Sequence, residues 1–449
     1  MSAAVRLRST ASEAVGGLPR QFWWLWTSTL VNRLGGFVVT FLALYLTGDR
    51  GFSPAYAGLV ASLFGLGSAI AAVGGGVLAD RWGRRPTLLA AQLGTAASTA
   101  VLGFCQDRVA IAVTAFLVGL ASNASRPAVS AIIADVVPAE HRVRAYSLNY
   151  WAINIGFGVS AAVAGLIAAH GYLALFLIDA ASTLACAVVV FVRVPETRPQ
   201  SRPESRAGSR PLGTATADTA CPAPAEPRTG LGAVFRDGRF MALVAVNLLL
   251  AVVAQQGSTT LAADMGLAGI SAAQYGLVIG LNGVLIVLLQ LPLTRVMEGR
   301  NRTGLLVASA LLTGWGFGLT ALAGGSAGFY AVTVAVWTIG EIMAAPTMMG
   351  LVAELSPARA RGRYQGVYSL SWSLASFIGP AAGGYLLEHA GGRAVWGACA
   401  VFGTVAAGAF LLLGRRPVPD AAPTTAQDAA SATAAGTVPA GPTATAANS

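Results

Sequence analysis

Residues Ile132–Leu148 read IIADVVPAEHRVRAYSL, and residues Leu351–Val367 read LVAELSPARARGRYQGV. One constant shift, which carries Ile132 to Leu351, places the first stretch on the second without a gap. Chance similarity of two alanine-rich stretches does not account for the prolines and charges that then coincide, so the chain is predicted to contain two parallel repeats. The coinciding residues are Pro127 with Pro346, Asp135 with Glu354, Pro138 with Pro357, Arg142 with Arg361, and Arg144 with Arg363.

Apolar runs recur on both sides of this repeat, and each can cross ~30 Å of hydrocarbon at about 1.5 Å per residue. Only 11% of the 449 residues are charged, against about 25% in a soluble domain, and the mean hydropathy is +0.64. We therefore predict an all-α polytopic membrane protein with twelve transmembrane helices in two six-helix bundles. The predicted helices lie near residues 22–46, 55–79, 86–106, 109–133, 144–168, 171–192, 241–262, 272–296, 303–323, 326–352, 363–387 and 394–414.

A polar segment separates the two predicted bundles. From residue 195 to 230 it has no aromatic residue, no Val and no Ile, and it is rich in Pro, Arg, Ser and Ala. Such a segment cannot bury enough apolar surface to offset its chain entropy, so most of it is predicted to be disordered. The predicted domains are an N-terminal tail at 1–21, bundles at 22–193 and 241–414, a linker at 194–240, and a disordered tail at 415–449.

The net charge of +10 is carried entirely by arginine, because all 29 basic residues are Arg. If the N-terminus is cytoplasmic, the outer loops hold only Arg50, Arg108 and Arg393, while the inner loops, linker and tails are rich in Arg. This bias predicts that both termini are cytoplasmic. The charge is therefore a topology signal, and we expect no nucleic-acid partner.

Several enzyme classes are excluded by what the sequence lacks. Without lysine there is no phosphate-binding loop ending in Gly-Lys-Ser/Thr and no Schiff-base lysine. The four cysteines form no CxxC and have no His at ligand spacing, so we expect no metal and no cofactor. A membrane-embedded enzyme or scaffold is disfavoured because no nucleophile–base pair is apparent.

The stretch GVLADRWGRRPTLL begins at Gly76, between the second and third predicted helices. It resembles the loop motif G-x-L-A-D-R-x-G-R-R of the major facilitator superfamily. The resemblance implies a transporter whose two bundles rock about a central site, with Asp80 latching the cytoplasmic side against the start of helix eleven. A turn that only anchors lipid headgroups is the alternative. The predicted latch residues are Gly76, Asp80, Arg81, Gly83, Arg84 and Arg85.

A second motif of the family stands in an unexpected helix. Proton-exchanging members usually carry G-P-x-x-G-G in helix five, but here the copy lies in predicted helix eleven, the repeat partner of helix five. Small residues with a proline allow close helix packing and a bend. The predicted packing residues are Gly379, Pro380, Gly383 and Gly384.

Four ionisable residues fall well inside predicted spans, where each costs at least ~2.5 kcal/mol if it faces lipid. We interpret Arg33 and Arg126 as charges that pair internally or line a cavity, with pairing that only fixes helix packing left open. Glu341 and Asp179 are the candidates for proton coupling. Further candidates for cavity lining are Asn32, Gln255, Gln256 and Asn282.

These features together predict a monomeric secondary transporter in a bacterial plasma membrane, in contact with lipid and acting on a small molecule and protons. The resemblance implies proton-coupled efflux of a drug-like molecule or natural product. A proton-linked or facilitative importer of a small nutrient is the alternative. Enzymatic activity is not expected.

The arginine distribution makes the topology testable. A cysteine introduced near Gly51 or Gly391 should react with an impermeant thiol reagent added to intact cells, and one near Gly208 in the linker should not. Labelling of the linker from outside would overturn the predicted orientation.

Overall fold

The computed structural model describes residues 17–138, 141–168, 170–196, 231–357 and 360–414, and all regular structure in these ranges is helical. Ten stretches within them are long and apolar enough to cross a membrane. One of the ten joins two helices at Gly391, where φ is 77°. The first predicted helix is broken into pieces too short to be included. The described ranges therefore hold twelve membrane helices, and the prediction of an all-α polytopic protein is confirmed.

Helices of the N-terminal half begin where polar side chains satisfy the first backbone N–H groups. Ser53 accepts a hydrogen bond from the Tyr56 N–H at 3.3 Å, and Asp107 accepts one from Ala110 at 2.9 Å. Each such cap is worth about 1 kcal/mol. The helices are α1 (Arg20–Leu34 and Val38–Leu44), α2 (Pro54–Trp82), α3 (Arg84–Phe104), α4 (Arg108–Val136), α5 (Arg142–Ala168) and α6 (Tyr172–Arg193).

Helices of the C-terminal half also begin at side chains that cap their first N–H groups. Ser271 and Gln274 form a reciprocal capping pair, and Asn301 accepts from the N–H groups of Thr303 and Gly304. The helices are α7 (Gly238–Gln255 and Thr260–Leu267), α8 (Ala272–Met297), α9 (Arg302–Gly318, followed by a 3₁₀ turn at Leu319–Leu322), α10 (Ala327–Leu355), and α11 with α12 (Arg361–Gly414, interrupted at Gly391).

Two helices that the sequence predicted as continuous, near 22–46 and 241–262, are broken. α1 is interrupted at Gly35, where a Cβ would overlap the Ser182 side chain of α6, so only glycine permits this approach. α7 is interrupted over the polar residues 256–259. The two spans lie where they were predicted, but the breaks were not foreseen, because mean hydropathy reports how apolar a segment is and carries no information on the continuity of its hydrogen bonds.

Part of the predicted linker is ordered. Residues Leu231–Arg236 form a short helix ahead of α7. Asp237 then accepts hydrogen bonds from the Phe240 N–H at 3.0 Å and the Tyr364 hydroxyl at 3.1 Å, which ties this helix to α7 and α11. The prediction of disorder for the rest of the linker and for the tails concerns residues 1–16, 197–230 and 415–449, which lie outside the described residues.

We call the end of the molecule where α1 begins and α6 ends the linker end, and the opposite end the far end. The two halves meet at the far end. Glu388 accepts a hydrogen bond from the Ala55 N–H at 2.8 Å, and the Tyr275 hydroxyl donates to the Thr40 carbonyl at 3.0 Å. Both bonds link one half to the other, so they hold the far end closed.

Backbones of the two halves also touch directly. A Cβ on Gly58 of α2 would overlap the Pro380 carbonyl oxygen of α11, and a Cβ on Gly283 of α8 would lie 2.6 Å from the Cα of Gly158 in α5. Nearer the linker end, a Cβ on Gly74 would meet nothing within 4 Å. Gly76 and Gly366, near the linker end of α2 and α11, are equally free. The described residues therefore form a state that is closed at the far end and open at the linker end.

The close approach at Gly58 predicts a conformational shift. Gly58→Val should disfavour the far-end-closed state by about 1–3 kcal/mol, which is roughly a 5- to 150-fold change in population. A cysteine at Ala381, whose N–H bonds Ser62 of the other half, should then react faster with a thiol reagent in detergent. Gly408→Val is the matched control, because a Cβ there meets no atom within 4 Å. Equal labelling rates in both variants would contradict the prediction.

Candidate functional site

Three adjoining cavities lie in the middle of the molecule. The arginine cavity, of about 390 Å³, lies inside the N-terminal half and is lined by Arg33 and Arg126. The interface cavity, of about 500 Å³, lies between the halves and shares Arg126 and Ser130 with the first. The glutamate cavity, of about 120 Å³, lies inside the C-terminal half, contains Glu341 and shares Trp372 with the second. The shared lining residues place the three cavities side by side, and we call them together the central path.

The two predicted intramembrane arginines face the same cavity. Arg33 is half-buried in the last turn of the first segment of α1, and Arg126 is exposed to the cavity in the middle of α4. Within the described residues neither guanidinium has an ion pair within 4 Å. The rest of the lining near them is rich in hydroxyl and amide groups, among them Ser28, Thr29, Asn32, Gln92, Thr95 and Asn149.

Asp179 of α6 is buried at the break in α1. Its Oδ2 accepts hydrogen bonds from the backbone N–H groups of Phe37 at 3.1 Å and Val38 at 3.2 Å. These are the first N–H groups of the second segment of α1, which have no partner within that helix. Asp179 thus caps the broken helix from a neighbouring helix, and its predicted part in proton coupling stays a prediction.

Glu341 of α10 is exposed to the glutamate cavity. Its Oε2 accepts a hydrogen bond from Asn282 Nδ2 of α8 at 3.1 Å, and the same amide donates to Thr338 at 3.0 Å. The carboxyl is therefore held in place at the C-terminal side of the path.

The other predicted lining amides lie at the helix breaks. Asn32 lines the arginine cavity and donates to Thr183 at 3.1 Å. Gln255 lines the interface cavity and donates to Ser376 at 2.8 Å. Gln256 is buried instead: its amide donates to the carbonyls of Val252 one turn earlier and Gly379 of α11, and its Oε1 accepts from the Thr260 hydroxyl across the break in α7.

The predicted latch residues surround the turn between α2 and α3. Gly83 has a φ of 109°, which favours glycine, and Arg84 forms an ion pair with Asp135 of α4. Arg85 donates to the Phe191 carbonyl. The Glu196 carboxylate accepts from the N–H groups at the start of α3.

The remaining predicted latch residues make no such contacts that the structure describes. Gly76 faces open space, Arg81 is exposed, and the side chain of Asp80 lies outside the described residues.

The repeat reproduces this ion pair in the other half. In the sequence repeat, Arg84 corresponds to Arg302 and Asp135 to Glu354, with offsets that differ by a single position, and Arg302 and Glu354 form an ion pair. Each pair joins the start of the helix after a linker-end turn, α3 or α9, to the end of the next helix, α4 or α10. The exposed Arg302–Glu354 pair contributes little stability, so the matched placement of the two pairs indicates a shared geometry of the two linker-end turns.

The predicted packing residues in α11 line its contacts with both halves. Gly384 touches α2 near Pro54 and Gly58, and a Cβ at Gly379 would lie 2.9 Å from Gln255 Cβ. A Cβ at Gly383 would overlap the Gln256 side chain, and Pro380 is buried inside the helix. Small residues here let α11 approach α2 and α7 together.

Asp264 is an intramembrane acid that the sequence analysis missed. It lies in the second segment of α7 and accepts hydrogen bonds from the Tyr330 hydroxyl at 2.9 Å and from Trp396 Nε1 at 3.2 Å. Its position near the far end of a predicted span concealed it. Its partners lie on α10 and α12, so no short motif could have identified the group.

Within the described ranges, no three His, Cys, Asp or Glu side chains lie together as metal ligands would. Cys105, Cys186 and Cys399 are free thiols, and Cys221 lies outside those ranges. The chemistry of the site therefore rests on the arginines, the carboxyls and the amides.

Comparison with known proteins agrees with this architecture. The model of the Major Facilitator Superfamily matches residues 25–349 and 257–445. The multidrug resistance protein MdtH of Cronobacter sakazakii is 26% identical over 393 residues, covering 84% of this chain and 90% of MdtH. The uncharacterised MFS-type transporter YhjO of Bacillus subtilis is 23% identical over 375 residues, covering 83% of this chain and 87% of YhjO.

Among solved structures, a POT family transporter in complex with 5-aminolevulinic acid superposes with a TM-score of 0.69 at 16% identity. The superposition covers 89% of this chain and 96% of the other. At this level of identity the likeness concerns the fold.

The position of Asp179 predicts a test that separates capping from proton coupling. Asp179→Leu leaves the buried Val38 N–H without its acceptor, at about 1–3 kcal/mol, while the Phe37 N–H keeps the Gly35 carbonyl at 2.9 Å, so Tm in detergent should fall by several degrees. Asp179→Asn keeps an acceptor oxygen and should retain most of the stability. Asp49→Leu, at an exposed acid, is the control. A wild-type Tm for Asp179→Leu would contradict the capping role.

Proposed function

Since the chain belongs to the Major Facilitator Superfamily, we propose that it exports a small drug-like molecule or natural product in exchange for protons. The observation that carries this proposal is Glu341, a carboxyl exposed to the central path and oriented by Asn282. The proposed direction, outward from a bacterial cytoplasm, is supported by relatives named as multidrug resistance proteins. A nutrient importer is the competing outcome of the experiment below.

Glu341 can carry a proton because its surroundings change as the halves rock. In the state described here it reaches the path that opens at the linker end, so a proton can leave to that side. When the far end opens instead, the same carboxyl exchanges with the opposite solution. Asn282 donates to Glu341 and holds the carboxyl at the cavity, where it can exchange a proton with the side that is open.

The two linker-end turns supply the proposed latch. Arg84 and Asp135, with Arg302 and Glu354, fix the ends of the helices that must meet when the linker end closes. Asp80 would then contact the start of α11, where the positive end of the helix dipole favours an anion. We place the linker and both termini in the cytoplasm, as the arginine distribution predicts.

The proton role of Glu341 predicts a specific transport defect. Glu341→Gln should abolish accumulation driven by a pH gradient in inside-out vesicles, because the amide cannot release a proton. Substrate exchange down its own gradient should continue in liposomes, since α10 and the cavity keep their shape. Asp49→Asn, at an exposed acid, should behave as wild type.

Gradient-driven accumulation by Glu341→Gln with unchanged pH dependence would remove the proposed role from this residue, and Asp179→Asn would be examined next. Uptake into right-side-out vesicles, with none into inside-out vesicles, would favour the importer.

A further inference from the structure

We propose that the arginine cavity binds the anionic group of an amphiphilic aromatic acid whose apolar body extends toward the glutamate cavity. This inference rests on the proposed transport function and names the substrate class for the same path. Three observations carry it: the unbalanced charge of the arginine cavity, its absence from the repeat, and the aromatic lining at the other end of the path.

The arginine cavity has an excess of positive charge. Arg33 and Arg126 both line it, and no Asp or Glu belongs to its lining among the described residues. The nearby carboxyl of Asp179 is engaged by the N–H groups of Phe37 and Val38, and it forms no ion pair with Arg33 within 4 Å. Neither guanidinium has a carboxylate partner within 4 Å among the described residues, so an anion that enters this cavity gains electrostatic energy from both.

The repeat shows that the fold does not need these charges. The alignment that matches Pro127 with Pro346 places Arg126 on Ala345. In the first helices, matching the buried Phe22 with the buried Phe240 places Arg33 on Ala251. The same helix positions thus pack in the second half with alanine, so a role in packing does not account for two arginines in the first half.

Two guanidinium groups on one cavity wall suit a carboxylate or a related oxyanion. Each guanidinium can form two parallel hydrogen bonds to such a group, an arrangement that is both strong and directional. The surrounding hydroxyl and amide groups, including Ser125 and Asn149, provide further donors for the same oxyanion. A cation would meet like charge here, so the wall selects against it.

The other end of the path suits an aromatic body. The glutamate cavity is lined by aromatic rings from α9, α10, α11 and α12, and one of them, Trp372, also lines the interface cavity beside Arg126. Together, volumes of about 390, 500 and 120 Å³ are enough to enclose a drug-sized ligand. The aromatic lining residues are Phe317, Trp337, Tyr368, Trp372 and Phe410.

The test measures binding to the purified full-length protein in detergent without any gradient. The probes are 2-naphthoate, the neutral 2-naphthamide, the cationic 2-naphthylmethylammonium and inorganic phosphate, each titrated against the Tm of the protein. We expect naphthoate to bind at least about tenfold more tightly than the amide or the cation. Phosphate should bind weakly, because it lacks the apolar body.

Arginine variants test whether the preference for naphthoate comes from the arginine cavity. Arg126→Gln and Arg33→Gln should each remove the preference for naphthoate over naphthamide, and Arg126→Lys should keep part of it. Arg295→Gln is the matched control, because Arg295 is exposed on α8 and lines none of the three cavities.

The proposal is overturned if naphthoate shows no preference, if the preference survives Arg126→Gln, if phosphate binds as tightly as naphthoate, or if no aromatic probe binds. Binding without gradient-driven export would leave the anion site in place and refute the proposed function. Export without an anion preference would support the proposed function and refute the anion site.

Discussion

Inside hydrocarbon every backbone N–H must find a partner within the protein, and this requirement governs the centre of the structure. α1 is broken at Gly35 and α7 over residues 256–259, so each exposes N–H and carbonyl groups at membrane depth. In the first half a carboxylate from α6, Asp179, satisfies the exposed N–H groups. In the second half Gln256 donates to the Val252 carbonyl before the break and to the Gly379 carbonyl of α11, and accepts from Thr260 beyond the break. Both breaks lie beside the central path.

The two repeats have similar backbone structures but carry different functional side chains. Both halves have a broken first helix and an ion pair at the linker-end turn, Arg84 with Asp135 and Arg302 with Glu354. The N-terminal half then carries the arginines of the path, whereas the C-terminal half carries Glu341 and most of its aromatic rings. Duplication explains the common scaffold, and later substitutions at a few helix positions explain how one wall came to differ from the other.

The fold was largely predictable because it depends on regular features of the sequence. Matched prolines revealed the repeat, hydropathy located the spans to within a few residues, and the turn at Gly83 lies where its motif placed it. The site was less predictable because its contacts join distant residues. Asp179 and Phe37 are far apart in the chain, and Asp264 meets partners on two other helices. Intramembrane charges could be identified as candidates from the sequence. Their hydrogen-bonding partners and the cavities that they line could not.

The glycine contacts between α5 and α8, and between α2 and α11, limit which amino-acid substitutions this chain tolerates. Gly158 and Gly283 bring two backbones together with no side chain between them, so one added methyl group has nowhere to go. The outward faces of the same helices present large apolar side chains, which can be exchanged for others of similar character. We call these glycine contacts between the two halves the seam. In a library of random variants selected for transport, replacements should therefore accumulate on the outward faces and be rare at the seam. A directed-evolution experiment would gain most by leaving the seam untouched and diversifying the cavity walls.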